Sequence, residues 1–183
     1  MSESVRFWGK ALAVRPRVIV TWIEEERTVS CPGYIAVVEG TLDGETTTFT
    51  VAIGPATYEK RPFGIGAIVR GEAQRVPEGG LPDVPADLYR VTILRLIDPG
   101  TPDHTAPPRS DSPLPSDEVP DAPRRGLAAE NVKKGGPCRT CPYAVLACVV
   151  KLSDPRQPPR SGKWTRLPAC IGPEDCPHYQ SAE

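Results

Sequence analysis

Apolar and polar residues alternate in short runs through the first half of the chain, and this pattern predicts β-strands rather than helices. In the segment TTTFTVAIG, Phe49, Val51 and Ile53 recur at every second position, as on the buried face of a strand. Asp43-Gly44 separates that segment from the run GYIAVVEGTL, and Asp-Gly between two apolar runs is typical of a tight hairpin. Further β-rich runs are VRFWGKALAV, RVIVTWIEE, GAIVRGEAQRV and YRVTILRLID.

These runs predict a mostly β protein in which residues 1–98 fold as a small barrel or a sandwich. A closed barrel is favoured, because it leaves no strand edge exposed. The segment PFGIGAIVRGEA, from Pro62 to Ala73, resembles a strand entry of OB-fold proteins, in which a glycine turn leads into a Val-x-Gly strand. The resemblance implies an OB-like β-barrel, with an unrelated small barrel as the alternative.

The amino-acid composition changes between residues 99 and 136, where prolines recur every few positions and large apolar residues are almost absent. Such a segment cannot bury enough apolar surface to offset the entropy of ordering it. We therefore interpret residues 99–136 as a Pro-rich, semi-extended linker. An ordered loop wrapped on a partner is the alternative.

The remaining segment, residues 137–183, is too short to build an apolar core of its own and carries two cysteine clusters. Cys138 and Cys141 are separated by two residues, and Cys170 and Cys176 by five. Two cysteine turns separated by the β-capable stretches AVLACVVKLS and WTRLPAC are typical of a zinc ribbon, in which four thiolates surround one zinc ion. The sequence thus predicts a zinc-ribbon-like module over residues 137–183.

Cys148 leaves the identity of the metal open. It lies inside the apolar run AVLACVVKL, where a buried packing role is typical of cysteine. Alternatively, Cys148 is an extra metal ligand, and the site then holds an iron–sulfur cluster instead of zinc. Cys31 stands alone in SCPGY and is interpreted as structural.

The tail PACIGPEDCPHY, with Cys138-x2-Cys141 upstream, resembles that of an uncharacterised bacterial family. Its members combine an N-terminal OB-like β-domain with a Cys-x2-Cys…Cys-x-Gly-Pro-x2-Cys-Pro-x-Tyr ending. The resemblance implies shared metal ligands at Cys138, Cys141, Cys170 and Cys176. It implies no activity.

Charge is distributed unevenly along the chain. Residues 124–183 carry ten Lys and Arg against five Asp and Glu, whereas residues 1–123 are acidic. A basic ribbon and an OB-like barrel both occur in nucleic-acid-binding proteins. We therefore predict a binding surface for single-stranded DNA or RNA in the ribbon segment, formed by Arg156, Arg160, Lys163, Trp164 and Arg166.

Motifs of enzymes are missing from this sequence, which has two histidines and no phosphate-binding or nucleophile motif. We therefore expect a non-catalytic accessory protein, with a protein-interaction or scaffold module as the alternative. MSESVRFWGK holds no apolar run of signal-peptide length and no window approaches a membrane span, so we expect a cytoplasmic protein with reduced thiols. The sequence does not indicate an oligomeric state.

Overall fold

The computed structural model describes residues 4–23, 26–99, 138, 144–154 and 156–170. Most of these residues lie in strands, which confirms the prediction of a mostly β protein. The elements in chain order are β1 (Ser4–Pro16), β2 (Ile19–Ile23), β3 (Glu26–Ser30), β4 (Tyr34–Leu42), β5 (Glu45–Ile53), α1 (Pro55–Lys60), β6 (Ile68–Arg75), β7 (Leu88–Asp98), β8 (Ala144–Leu152), a 3-10 turn (Pro159–Ser161) and β9 (Lys163–Cys170).

Five of the strands form a closed barrel in the order β1-β4-β5-β7-β6, in which β6 also pairs with β1. All neighbours are antiparallel except β5 and β7, which run parallel where Val51 meets Leu88. The turn between β4 and β5 holds Asp43 at φ 50° and Gly44 at φ 91°. Positive φ at both central residues is what a type I′ hairpin turn requires, so the hairpin predicted at Asp-Gly is confirmed.

The barrel core follows from the alternation of inward and outward side chains along each strand. In β1, Val5 and Phe7 point into the core, and the Phe7 ring meets the Phe49 ring edge-on with centroids 6.0 Å apart. The short helix α1 adds Tyr58, whose ring stacks on Tyr34 at 4.0 Å and whose hydroxyl donates a hydrogen bond to the Phe63 carbonyl. The core is therefore aromatic as well as aliphatic.

The backbones of β1 and β4 approach closely where Gly9 faces Gly40. A β-carbon on Gly9 would overlap the Glu39 carbonyl, and one on Gly40 would overlap the Trp8 carbonyl. These two glycines are therefore required by the spacing of the strands. Their φ angles play no part in this requirement.

The other four strands form a second sheet in the order β3-β2-β8-β9. The run RVIVTWIEE was expected to contribute a barrel strand, and that expectation is wrong: its β2 pairs in parallel with β8, so that Ile19 faces Cys148. One face of this sheet buries small residues, which are Val18, Val20, Val145, Ala147 and Ala169. The sheet therefore combines strands from both ends of the chain.

The predicted linker, residues 99–136, falls almost wholly outside the described residues, and so do Cys141 and Cys176. The division of the chain at residues 98 and 137 consequently stays a prediction. Within the described part of the chain, no helix is both long and apolar enough to cross a membrane.

Candidate functional site

A groove with a volume of about 620 Å³ runs over the outer surface of the barrel, across β1, β6 and β7. The strand register fixes its central row, because Trp8 faces Thr41 of β4 on one side and Arg70 of β6 on the other, and Arg70 faces Arg95 of β7. Side chains directly opposite each other on paired strands lie about 5 Å apart. The groove residues used below are Arg6, Trp8, Arg70, Glu72, Ile93 and Arg95.

The indole of Trp8 is half-exposed, at 51% of its full accessible surface. It points outward because β1 alternates strictly here, with Phe7 and Gly9 on the inward side. An exposed tryptophan on a strand offers its ring to a ligand, because aromatic side chains are the groups on which bases stack. Trp8 is therefore the residue of this surface best suited to bind an aromatic ligand group.

The cations around Trp8 divide into paired and unpaired groups. The Arg6 Nε lies 3.1 Å from Glu72, and Arg75 lies 3.0 Å from Asp43. By contrast, Arg70 and Arg95 form no ion pair with any residue that the structure describes, and Lys10, two residues further along β1, forms none there either. Side chains of these three residues are thus available to an anion.

The five aromatic residues among residues 1–50 occupy different environments. Phe7, Tyr34 and Phe49 belong to the barrel core, and Trp22 packs against the buried cluster of the second sheet. Trp8 alone among these five is largely exposed on the barrel. The sequence indicates this exposure, because Trp8 lies two residues from Arg6 and two from Lys10, and alternate residues of a strand share one face.

Of the five residues predicted to bind nucleic acid, the four whose side chains the structure describes do not converge on one surface. Trp164 is half-buried, and its indole N–H donates to the Pro159 carbonyl at 3.0 Å. Arg166 donates to the carbonyls of Leu81 at 2.5 Å and Val84 at 3.1 Å.

Two other members of that set, Arg156 and Lys163, are exposed. Lys163 points away from the face of β9 that carries Trp164 and Arg166, because successive residues of a strand alternate. The side chain of Arg160 lies outside the described residues. The described members of the set are therefore spread over different faces, and two of them are engaged within the chain.

Two of the four predicted metal ligands are described, and both are buried. Cys170 ends β9 opposite Ala144, the first residue of β8. The backbone carbonyl of Cys138 accepts a hydrogen bond from Arg15 near the end of β1, at 3.2 Å. β1 also contacts β8, the strand on which Ala144 faces Cys170. The described residues alone contain no group of three metal-binding side chains.

Cys148 is fully buried in the middle of β8, between Ile19 and Arg166 on the neighbouring strands. It lies four residues from Ala144, the partner of Cys170, and four residues of strand span about 13 Å. Two sulfur atoms bound to one zinc ion are at most about 4.6 Å apart, since each Zn–S bond is about 2.3 Å. Cys148 and Cys170 therefore cannot share one zinc ion in this strand register.

Burial also governs the acidity of the two thiols outside the predicted metal set. It raises the pKa of Cys31 to about 11. It raises the pKa of Cys148 as well, although Arg166 and Arg17 act in the opposite direction. A raised pKa keeps both sulfurs as thiols at neutral pH, which fits packing rather than nucleophilic chemistry.

The raised pKa of Cys31 predicts a loss of stability in alkali. Above pH 9, an unfolded chain ionises this thiol while the folded chain still holds it protonated, so unfolding becomes easier until the pH reaches about 11. We expect the difference in free energy of unfolding between wild type and Cys31→Ala to be constant below pH 9 and to fall above it. Urea titrations at pH 7, 8, 9 and 10 measure this difference, and a constant difference across the series would contradict the prediction.

No family model, no curated protein and no solved structure matches this chain. Its function must therefore be argued from the groove, the second sheet and the cysteines.

Proposed function

We propose that this chain is a non-catalytic accessory protein that binds single-stranded nucleic acid on an OB-like barrel and carries a structural metal site. The OB-like assignment is supported by the connectivity. Counted within the barrel alone, the strands follow the order one-two-three-five-four, with a parallel pair between the third and fifth and a helix between the third and fourth. A five-stranded Greek-key barrel is the architecture of the OB fold.

The observation that carries the proposal is the row of Trp8, Arg70 and Arg95 across three paired strands. Proteins that bind single strands combine aromatic side chains, on which bases stack, with cations that follow the phosphates. An unpaired base can lie on the exposed indole while the two guanidinium groups face the backbone. A duplex offers no such base, because its bases are already stacked on each other.

The acidic character of the first 123 residues does not oppose this placement. Two of the carboxylates near the groove, Glu72 and Asp43, are already paired with Arg6 and Arg75. The unpaired groups at the groove are Arg70 and Arg95. At moderate salt a bound strand responds mainly to charges within about 10 Å. The balance of charge near the groove is therefore more positive than the total charge of the first 123 residues would suggest.

A protein-interaction surface is the second candidate, because the same face also exposes apolar side chains. Ile93 lines the groove together with Trp8 and is 41% exposed, and Ile97, four residues further along β7, is 57% exposed. Interface centres are enriched in such aromatic and aliphatic residues, with arginine nearby. The two candidates differ in salt dependence, since only binding to phosphates releases many counterions.

For the metal, we propose one zinc ion bound by Cys138, Cys141, Cys170 and Cys176, with Cys148 as a core residue. Support comes from the burial of Cys138 and Cys170 and from the distance of Cys148 from Cys170 along the sheet. Arg15 would lie close to the site through its hydrogen bond to Cys138 and would offset part of the charge of four thiolates. An iron–sulfur cluster that includes Cys148 is the alternative.

The nucleic-acid proposal is tested by the affinity of the full-length protein for a fluorescent single-stranded oligonucleotide at several salt concentrations. We expect Trp8→Ala to weaken binding about tenfold, the contribution of one stacked base. Arg70→Ala combined with Arg95→Ala is expected to lower the slope of log K against log salt by about 1.4, since two phosphate contacts are lost. Both variants replace exposed side chains, so stability should change little.

The matched control is Arg156→Ala combined with Lys163→Ala, which also removes two exposed cations, one from the connection between β8 and β9 and one from β9. We expect this control to retain wild-type affinity. Equal losses in the two double variants would indicate general charge attraction and would contradict a groove-specific site. If wild type shows no affinity even at low salt, the nucleic-acid proposal is wrong and the protein-interaction candidate replaces it.

A further inference from the structure

A second part of the outer barrel surface is covered by the chain itself. Ile35 of β4 and Ala52 of β5 face each other on the outside of the barrel, and each remains less than 10% exposed. They are buried because residues 76–87, the connection between β6 and β7 that we call the strap, fold back over them. The apolar residues that meet on this surface are Ile35, Ala52, Val76, Leu81, Val84, Ala86 and Tyr89.

Two arginines outside the barrel sheet hold the strap in place. Arg17, in the connection between β1 and β2, donates to the Asp83 carbonyl at 2.8 Å and forms an ion pair with the Asp83 carboxylate at 2.7 Å. The Arg17 side chain is only 15% exposed, so this pair is shielded from water on one side. Arg166 of β9 donates to the carbonyls of Leu81 and Val84, as described above.

The strap contains two consecutive glycines, Gly79 and Gly80. Both have positive φ, at 94° and 78°, and both are exposed. Backbone in this region is readily accessible to glycine alone, so the strap can change direction here at low cost. The carboxylate of Asp87 at its other end stays fixed, because it accepts hydrogen bonds from the backbone N–H and the hydroxyl of Thr50.

The surface beneath the strap has the chemistry of a binding site for single strands. It contains Tyr89, and the Arg90 guanidinium lies 5.4 Å from the centre of the Tyr89 ring. An aromatic ring, the Arg90 guanidinium and a small apolar patch would lie together beside β4 and β5 once the strap opens, where the strands and connecting loops of OB barrels contact oligonucleotides.

We propose that the strap is an autoinhibitory segment: it occupies a second surface for single-stranded nucleic acid, and Arg17 and Arg166 keep it closed. The choice of ligand rests on the OB-like assignment made in the proposed function. Arg166 belongs to the second sheet, so the position of that sheet controls access to the barrel. The closed strap restricts the protein to the groove at Trp8.

The test replaces the strap without disturbing the strands that it joins. Arg75 pairs with Leu88, and the Val76 N–H donates to the Asp87 carbonyl at 2.8 Å, so residues 77–86 can be replaced by an Asn-Gly turn. A second variant combines Arg17→Ala with Arg166→Ala and leaves the strap sequence intact. Both changes are made in the full-length Trp8→Ala protein, and folding is verified by circular dichroism.

We expect each variant to bind a single-stranded oligonucleotide about fivefold or more tightly than Trp8→Ala alone, the contribution of one further stacked base. The arginine variant loses two positive charges, so a gain in its affinity cannot come from general electrostatics. Hydrogen exchange should also increase over residues 76–87 in that variant. If Tyr89→Ala abolishes the gain in affinity, the added binding takes place on the surface that the strap had covered.

Unchanged affinity in both variants would overturn the proposal, whether or not hydrogen exchange increases. A gain after strap replacement alone would overturn the role of Arg17 and Arg166 as the clamp. The groove proposal fails under a different condition, namely equal affinity of wild type and Trp8→Ala. Because the strap is tested in the Trp8→Ala background, the two results are independent.

Discussion

Replacement of Cys170 by serine is expected to abolish metal binding and to remove most of the order of the second sheet. The physical reason is the modest apolar core of that sheet, which consists of three valines and two alanines on one face and of Ala144, Cys148, Val150 and Leu152 on the other. A fully buried valine contributes about 1.5–3 kcal/mol and an alanine less, which does not offset the entropy of ordering four strands. Structural zinc in small modules contributes about 10–16 kcal/mol, so its loss should be decisive.

Elemental analysis, circular dichroism and hydrogen exchange measure this result. We expect one zinc per wild-type chain, almost none in Cys170→Ser, and a loss of exchange protection in β2, β8 and β9. The barrel should retain protection in β1 and β4–β7, because its aromatic core is separate from the second sheet. Chelation of zinc from wild type should reproduce the effect of the substitution.

Cys148→Ala is the matched control for the metal site. It also removes a buried sulfur from the second sheet, but from a position about 13 Å along the strand from the partner of Cys170. We expect it to retain the full zinc content with a moderate loss of stability. A brown wild-type protein that contains iron and sulfide, and that loses both in Cys148→Ala, would replace the zinc proposal by an iron–sulfur cluster with Cys148 as a ligand.

The second large effect is expected from Gly40→Val, which we predict to lower the free energy of unfolding by about 3 kcal/mol. Its β-carbon would overlap the Trp8 carbonyl and the Gly9 α-carbon, and backbone atoms of a paired strand cannot move aside individually. Overpacking of well-packed sites costs about 1–3 kcal/mol, and a backbone clash belongs at the upper end of that range. Urea unfolding followed by tryptophan fluorescence measures the change.

Gly54→Val serves as the control for this substitution. Gly54 precedes α1 with a φ of −68°, and a β-carbon there would meet no atom within 4 Å. Gly54 is also the N-cap of α1, where valine is less favourable than glycine, so we expect a loss of no more than about 1 kcal/mol in the free energy of unfolding. Similar losses at Gly40 and Gly54 would show that the close approach of β1 and β4 is not the cause.

Individual strands and turns could be predicted from the sequence, because the residues that specify them are adjacent in the chain. The alternation of Phe49, Val51 and Ile53 indicates the inward face of β5, and Asp43-Gly44 specifies a turn with positive φ. The pairing of β2 could not be predicted in the same way. Val20 and Trp22 alternate as barrel residues would, and nothing near them in the sequence indicates that their partner is β8.

The candidate site shows the same limit. The parity of β1 indicates that Trp8 points outward, but its neighbours Arg70 and Arg95 come from strands whose register must be known first. The basic residues of the tail had a clear compositional signal, yet Arg166 is used internally on the strap. Composition identifies charges, whereas only the fold tells which of them remain unpaired.

The parallel pairing of β2 with β8 has a consequence for synthesis on the ribosome. All five barrel strands lie before residue 99, so the barrel can close while β8 and β9 are still to be made. During that interval the hairpin of β2 and β3 protrudes from the nascent chain with the edge of β2 unpaired, and such an edge can join a strand of another molecule. The residues between β7 and β8 must all be made before β8 can pair with β2, which makes β2 the segment where aggregation of newly made chains should begin.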